Sequence, residues 1–232
     1  MSGAIEGVVK SVGGMEYTVV RSGRSRRIRM AVYPDGSIVV RCPPSMPESR
    51  VDRFVSDNRA WLSRNLEKLA ARPSVKVELR DGAEIPLFGT PYTAILDGSG
   101  TGAVDGSSIH FGRVDAGMER EVLFDFYRRE LEDYLSSALP SYELLTGLHA
   151  ASYRVREYRS RWGSCSPGGV LSFNLKLAAF DRSIIDYVVV HELCHLKHSN
   201  HSGSFWRLVG RYLDGYEGAR KALREAARYH QF

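Results

Sequence analysis

Cysteine is scarce in this chain: Cys42, Cys165 and Cys194 are the three among 232 residues. An odd number with no CxxC spacing argues against a disulfide framework and against a zinc site made of cysteines alone, so all three are expected to stay reduced. Long apolar runs are also missing, with none approaching the ~18 residues that cross a bilayer. The segment Met1 to Lys10 lacks the basic-then-apolar order of a secretory signal. No membrane partner is therefore expected, and a cytoplasmic location is the default. Net charge is small, +5 from 32 basic and 27 acidic residues, which favours anionic partners weakly and does not diagnose nucleic-acid binding. Repeats and low-complexity tracts are absent too. What is present is 43% hydrophobic and 25% charged, a globular composition. A chain this long buries roughly 70% of its unfolded surface, enough for one large core or two modest ones.

The hydrophobic pattern changes period along the chain. From Arg26 to Cys42, Ile28, Met30 and Val32 alternate with basic residues. Pro34-Asp35-Gly36 then breaks the run, and Ile38, Val40 and Cys42 resume it. This predicts a β-hairpin whose other face carries Arg27, Arg29 and Arg41. Ser45 and Glu48 have capping-box spacing, and Val51, Phe54, Val55, Leu62, Leu66 and Leu69 predict a helix over about 46–72 that Pro73 closes. Short strands are predicted at Val75 to Leu79, Ile85 to Phe88 and Tyr92 to Leu96. The small-residue stretch Asp97 to Ser108 predicts a loop, with a domain boundary near residue 115.

Beyond it, Leu123, Tyr127, Leu131, Tyr134 and Leu135 have helical spacing, interrupted at Pro140 and ended at Gly147. Strands at Tyr153 to Tyr158 and Val170 to Leu175 flank a turn-rich segment, Arg161 to Gly169. Helices follow over about Ser183 to Lys197, around Phe205 to Tyr212, and over about Glu217 to Tyr229. The expected fold is α+β: a small β-rich N-terminal region with one helix over 1–115, then a mainly helical catalytic domain over 116–232.

The chemistry concentrates in His191-Glu192-Leu193-Cys194-His195, an HExxH motif. On a helix, histidines four residues apart share a face about 6 Å apart along the axis, so both imidazoles can reach one zinc ion. Glu192 lies one residue round, where it can take a proton from water without binding the metal. The motif follows the apolar run Ile184 to Val190, and a buried His-Glu-His group without a metal would need other partners for its polar atoms.

A catalytic zinc site needs a third protein ligand. His198, seven residues past His191, would stand about 10 Å along a continuous helix, too far to converge. His201 can converge if the chain turns first, and Ser199-Asn200 offers such a turn. The spacing therefore favours His201, with Glu217 from a later helix as another option. The spacing is also that of the metzincins, but His198 replaces their glycine and no methionine follows Met118.

The runs Arg159-Ser160-Arg161-Trp162-Gly163-Ser164-Cys165-Ser166, Leu171-Ser172-Phe173-Asn174, Ile185 to Leu196, Asn200-His201-Ser202 and Phe205-Trp206 together resemble the YgjP-like metallopeptidase family. The match is densest over 153–213, and the arginine-rich hairpin and the helix bearing Trp61 are similar to the family's N-terminal region. This resemblance implies a zincin-type domain with zinc on His191, His195 and His201, and with Glu192 as the catalytic glutamate. It leaves the substrate open between a peptide and a nucleoside triphosphate hydrolysed to monophosphate and pyrophosphate.

Around this core, Arg159 and Arg161 can grip a phosphate or carboxylate, and the Gly163-Ser164 backbone can donate to an oxyanion. Cys194 reads as core packing and Trp206 as an aromatic behind the third ligand. The leading expectation is a zinc-dependent metallopeptidase. Other divalent first-row metals also suit imidazole. Nucleotide hydrolysis and a nucleic-acid-associated role for Arg27 and Arg29 are the alternatives, and the sequence leaves the oligomeric state open.

Overall fold

The computed structural model describes residues 7–33, 36–70, 75–98, 100–159 and 161–231. The expected turn residues Pro34 and Asp35, the expected helix stop at Pro73, and Ser160 lie outside them. The chain forms two compact units, Met1–Val75 with Arg228–Gln231, and Lys76–Ala227.

In the first unit, β1 (Val8–Val12), β2 (Met15–Arg21), β3 (Arg29–Val32) and β4 (Ile38–Cys42) make a sheet of order β1-β2-β4-β3. The expected hairpin is the antiparallel β3–β4 pair, with Arg29 opposite Arg41 on the exposed side. Tyr17, Val19, Ile38, Val40 and Cys42 pack against Val51, Val55 and Leu62. The single helix expected over 46–72 is two, α1 (Glu48–Asp57) and α2 (Arg59–Ala70). The break is Asn58, whose side-chain amide donates to the Phe54 carbonyl at 2.8 Å. The capping box does not form either. Pro47 is the N-cap and makes no side-chain cap bond, because the helix starts at Glu48 and leaves Ser45 too far upstream. A short strand, β5 (Val75–Lys76), pairs with the last strand, His230–Gln231.

The second unit holds more strand than the sequence pattern suggested. Its first sheet, order β6-β7-β9-β8, comprises β6 (Glu84–Leu87), β7 (Thr90–Leu96), β8 (Thr101–Asp105) and β9 (Ser108–Phe111). β8 lies within the stretch read as a loop, and β9 begins at its last residue, Ser108. β8 is an edge strand with one buried residue, so it carries no alternating apolar signal. That residue is Gly102, where a Cβ would stand 2.3 Å from the Phe126 ring.

The long helix α3 (Glu119–Thr146) ends at Gly147 as expected but runs straight through Pro140. Leu135 and Leu139 anchor it in the core, while Pro140 and Ser136 are exposed, so the carbonyl that loses its N–H partner faces water. Ile85, Leu87, Ile109 and Phe111 share one core with Phe126, Tyr127 and Leu131 of α3 and with Val188, Val189 and Leu193 further on. Tyr127 also donates to the Pro86 carbonyl at 2.8 Å. For this reason no compact boundary falls near residue 115, and the unit is mixed α+β rather than mainly helical.

A second sheet frames the HExxH segment. β10 (Ser152–Arg156) runs parallel to β12 (Val170–Asn174), and β11 (Gly163–Cys165), inside the segment read as a turn, pairs antiparallel with β12 at the sheet's edge. A 3-10 helix (Leu175–Ala179) leads to α4 (Arg182–His195), α5 (Gly203–Tyr212) and α6 (Tyr216–Tyr229).

Asn174, 2% exposed, ties the approach to β11 in place. Its amide donates to the carbonyls of Tyr158 and Arg161, both at 2.9 Å, and its Oδ1 accepts from the Lys176 N–H at 3.2 Å, capping the 3-10 helix. Asn174→Ala strands two carbonyls and removes the cap, so it should cost about 2–4 kcal/mol in urea unfolding. A loss below about 0.5 kcal/mol, the range of surface substitutions, would contradict this role.

Candidate metal centre

The helix that presents the motif is a poor helix former by composition, rich in Val and Ile. Packing compensates: Ile184, Ile185, Tyr187, Val188, Val189, Val190, Leu193 and Cys194 are all buried. Asp181 starts the helix by accepting from the Ser183 N–H at 2.8 Å. After His195 the helix ends, and the chain bends through Ser199 and Asn200. The Asn200 Oδ1 accepts from the Ser202 N–H at 3.2 Å, and Ser202 then caps α5.

That turn returns His201 to the motif. The ligand nitrogens of His191, His195 and His201 all lie within 4.8 Å of one another, and Nε2 of His201 stands 2.9 Å from Nε2 of His191. Nδ1 of His195 is 2.9 Å from the His198 carbonyl, which can only accept, so Nδ1 carries the proton and Nε2 keeps a free lone pair. His198 thus contributes a backbone oxygen that orients a ligand. The Tyr187 hydroxyl stands 3.4 Å from Nδ1 of His191. The Phe205 ring packs against all three imidazoles at 4.5–4.9 Å between centroids.

Burial, then the neighbouring His195, His201 and Arg220 charges, pull the His191 pKa down to about 3. Burial and the His195 and Arg220 charges lower His201 as well. Three imidazoles whose ring nitrogens converge suit a divalent cation of the zinc type.

Glu192 is 5% exposed, and among the described residues its Oε2 has no hydrogen-bond partner. Burial pushes its pKa up to about 8, against the lowering influence of the Arg161 guanidinium. The carboxylate lies against β11. A Cβ on Gly163 would stand 2.5 Å from Oε1 and 2.7 Å from Cγ of Glu192, so only glycine leaves the carboxylate its place. The unpartnered oxygen and this cradle fit a group that holds a proton beside a cation.

Among the other residues singled out from sequence, Arg161, Ser164 and Cys165 line a cavity beside this strand, whereas Arg159 is exposed and does not line it. Burial and the Glu192 charge raise the Cys165 thiol, and burial pushes Cys194 up to about 11, which suits packing rather than reactivity. Glu217 is exposed and is not in the imidazole cluster. Arg27 and Arg29 are exposed in the first unit.

Trp206, read as an aromatic behind the third ligand, stacks on His201 at 5.5 Å. Sequence reasoning missed what continues this wall: Tyr216 stacks on Trp206 at 5.6 Å, and the Arg220 guanidinium stands 4.1 Å over the Trp206 ring. Tyr187, four residues before His191, was findable from helical spacing. Tyr216 and Arg220 arrive from α6 and left no local signal.

An HExxH helix, a third imidazole brought back by a turn, and a buried glutamate beside them are the parts a metal-dependent hydrolase requires. The chain belongs to the YgjP-like metallopeptidase family, whose metallopeptidase domain pattern matches residues 26–226. Two solved zymogens share local likeness. Abylysin of Pyrococcus abyssi, a metallopeptidase, is 21% identical over 42% of this chain and 99% of its own, with a TM-score of 0.38. Jannalysin of Methanocaldococcus jannaschii, also a metallopeptidase, is 19% identical over 39% and 92%, with a TM-score of 0.35. No curated protein matches the sequence. Among the described residues, no helix is long and apolar enough to cross a membrane.

The opposed shifts of His191 and Glu192 give metal-stripped protein a defined pH response. Between pH 4.5 and about 8 the folded state holds a proton at Glu192 that the unfolded chain has lost, so stability falls as pH rises. His191 acts oppositely, adding stability as pH rises from about 3 to 6.5. The melting temperature of chelated protein should therefore decline between pH 6.5 and about 8, and Glu192→Gln should flatten the decline. An unchanged slope in the variant would show that Glu192 is already ionised in the fold.

Proposed function

We propose that the protein hydrolyses peptide bonds, with a divalent ion, zinc by preference, on His191, His195 and His201 and with Glu192 as the proton-transfer group. The observation that carries the reading is the orphaned Glu192 oxygen, buried one residue from the first of three converging imidazoles. The bound ion supplies Lewis-acid activation of water and of the scissile carbonyl.

Glu192 accepts a proton from the attacking water at Oε2 and returns it to the departing amine nitrogen. Gly163 keeps room for the carboxylate, and Phe205 excludes water from the rear of the imidazoles. β11 supplies a binding edge. Its bonds to β12 use the Trp162 carbonyl, the Ser164–Ser172 pair and the Ser166 N–H. By alternation, the backbone groups of Gly163 and Cys165 point away from β12 and can pair with an extended peptide. The family gives no support to a nucleotide or nucleic-acid substrate.

Glu192→Gln should retain bound zinc and lose about a hundredfold or more in peptide turnover. His201→Ala should lose metal affinity, whereas His198→Ala, which keeps the carbonyl that His195 uses, should hold its metal. Plasma emission of dialysed protein with a quenched-fluorescence peptide assay reads both. Wild-type turnover in Glu192→Gln, or equal metal loss in the two histidine variants, would contradict the assignment.

A further inference from the structure

The sheet beside the candidate centre has two unlike faces. Val155, Leu171 and Phe173 are buried on one, and Gly163, on the same side of the pleat, faces Glu192. The opposite face carries Arg154 and Arg156 from β10, Ser172 from β12 and Ser164 from β11, with Arg154, Ser172 and Ser164 in one cross-strand row. These side chains, with Arg161, border a cavity of about 480 Å³.

Among the described residues, three guanidinium groups border it and no carboxylate does. Among the described residues, Arg154, Arg156 and Arg161 make no ion pair, and the nearby Glu157 is engaged by Arg120 at 2.6 Å and Lys176 at 3.6 Å. Arg161 acts on Glu192, while Arg154 and Arg156 present their charge to the hollow beside it, where an incoming anion would be attracted by all three. The Ser172 and Ser164 hydroxyls, with the positive charges of Arg156 and Arg161, hold the Tyr158 phenol below its usual range, and the Arg161 guanidinium stands 5.6 Å from its ring centroid.

Two residues that line the cavity are coupled electrostatically to the candidate centre. Arg161 acts electrostatically on Glu192, and Glu192 acts on Cys165. A peptide paired along the free edge of β11 alternates its side chains between the two faces of the sheet. Residues on one side turn toward Glu192, and their immediate neighbours turn toward the arginines.

We propose that the cavity bordered by Arg154, Arg156 and Arg161 is a specificity pocket for a carboxylate side chain, so that the preferred substrates are peptides with Asp or Glu next to the residues facing Glu192. This rests on the peptidase reading and names the substrate class for the same site. Arg154 and Arg156 lie two strands from the edge and select the side chain, while Arg161 is shared between the pocket and Glu192.

The test uses zinc-loaded full-length protein and a quenched-fluorescence peptide library in which Glu, Gln or Lys is scanned through each position. At one position Glu should be preferred over Gln by about tenfold in kcat/KM, the scale of a partly exposed charge-assisted contact, and added salt should shrink the ratio. Arg154→Gln with Arg156→Gln should bring the ratio close to one. Arg156→Glu should shift the preference at that position toward Lys, a gain that an unfolded variant cannot show. Cleavage without any Glu preference, or a preference that survives both variants, overturns the pocket and leaves the peptidase reading intact.

Fluorescence anisotropy of the same peptides on Glu192→Gln protein gives a readout independent of turnover. Glu-over-Gln discrimination there, lost in the Arg154/Arg156 variants, supports the pocket even if no library member is cleaved. Equal binding of the two peptides, or tighter competition by inorganic pyrophosphate than by the Glu peptide, counts against it. Failure of every peptide to be cleaved, with metal bound, is the separate outcome that removes the peptidase reading.

Discussion

A carboxylate held away from water with one oxygen unpartnered is costly, and in this protein the surrounding structure is arranged around that cost. Glu192 sits on a helix buried nearly all round, so it cannot swing to solvent. It lies against Gly163, where any side chain would displace it. Among the described residues, the cation that acts on it is Arg161, on the segment that Asn174 fixes through two carbonyl bonds. A second positive charge beside it, of the kind three converging imidazoles can hold, would make that burial favourable for the ionised form.

The clustering of the three imidazoles and the chain turn follow from the same constraint. His191 and His195 share one face of α4, and the bend at Ser199 and Asn200 carries His201 back to them. The helix ends in a way that frees the His198 carbonyl to fix the tautomer of His195. One segment thus supplies three imidazoles and the oxygen that orients one of them. Phe205 and Trp206 then pack apolar surface against the imidazoles, with Tyr216 stacked on Trp206 behind them.

Much of this was legible from local pattern. The HExxH spacing, the turn after it, the β3–β4 hairpin and the end of α3 at Gly147 each depend on residues a few positions apart, where periodicity and turn chemistry speak directly. The strands β8 and β11 were not legible. They are short and lie at sheet edges, and their small polar residues satisfy an edge without alternating hydrophobics. Pro140 misled because a proline is tolerated where the orphaned carbonyl faces water, and exposure is a tertiary property. The role of Gly163 was hidden for a related reason. Sequence suggested an oxyanion donor there, whereas the close approach of Glu192 from another element accounts for the glycine. The division near Val75 rather than near residue 115 reflects the core shared between β6–β9 and α3, which no local signal announces.

The most direct test of the account is zinc K-edge absorption fine structure on zinc-loaded protein at neutral pH. The geometry predicts three imidazole nitrogens at about 2.0–2.1 Å, one further light-atom ligand, and no sulfur, since Cys194 faces the core. Two imidazoles, or a sulfur shell at about 2.3 Å, would contradict a centre built on His191, His195 and His201.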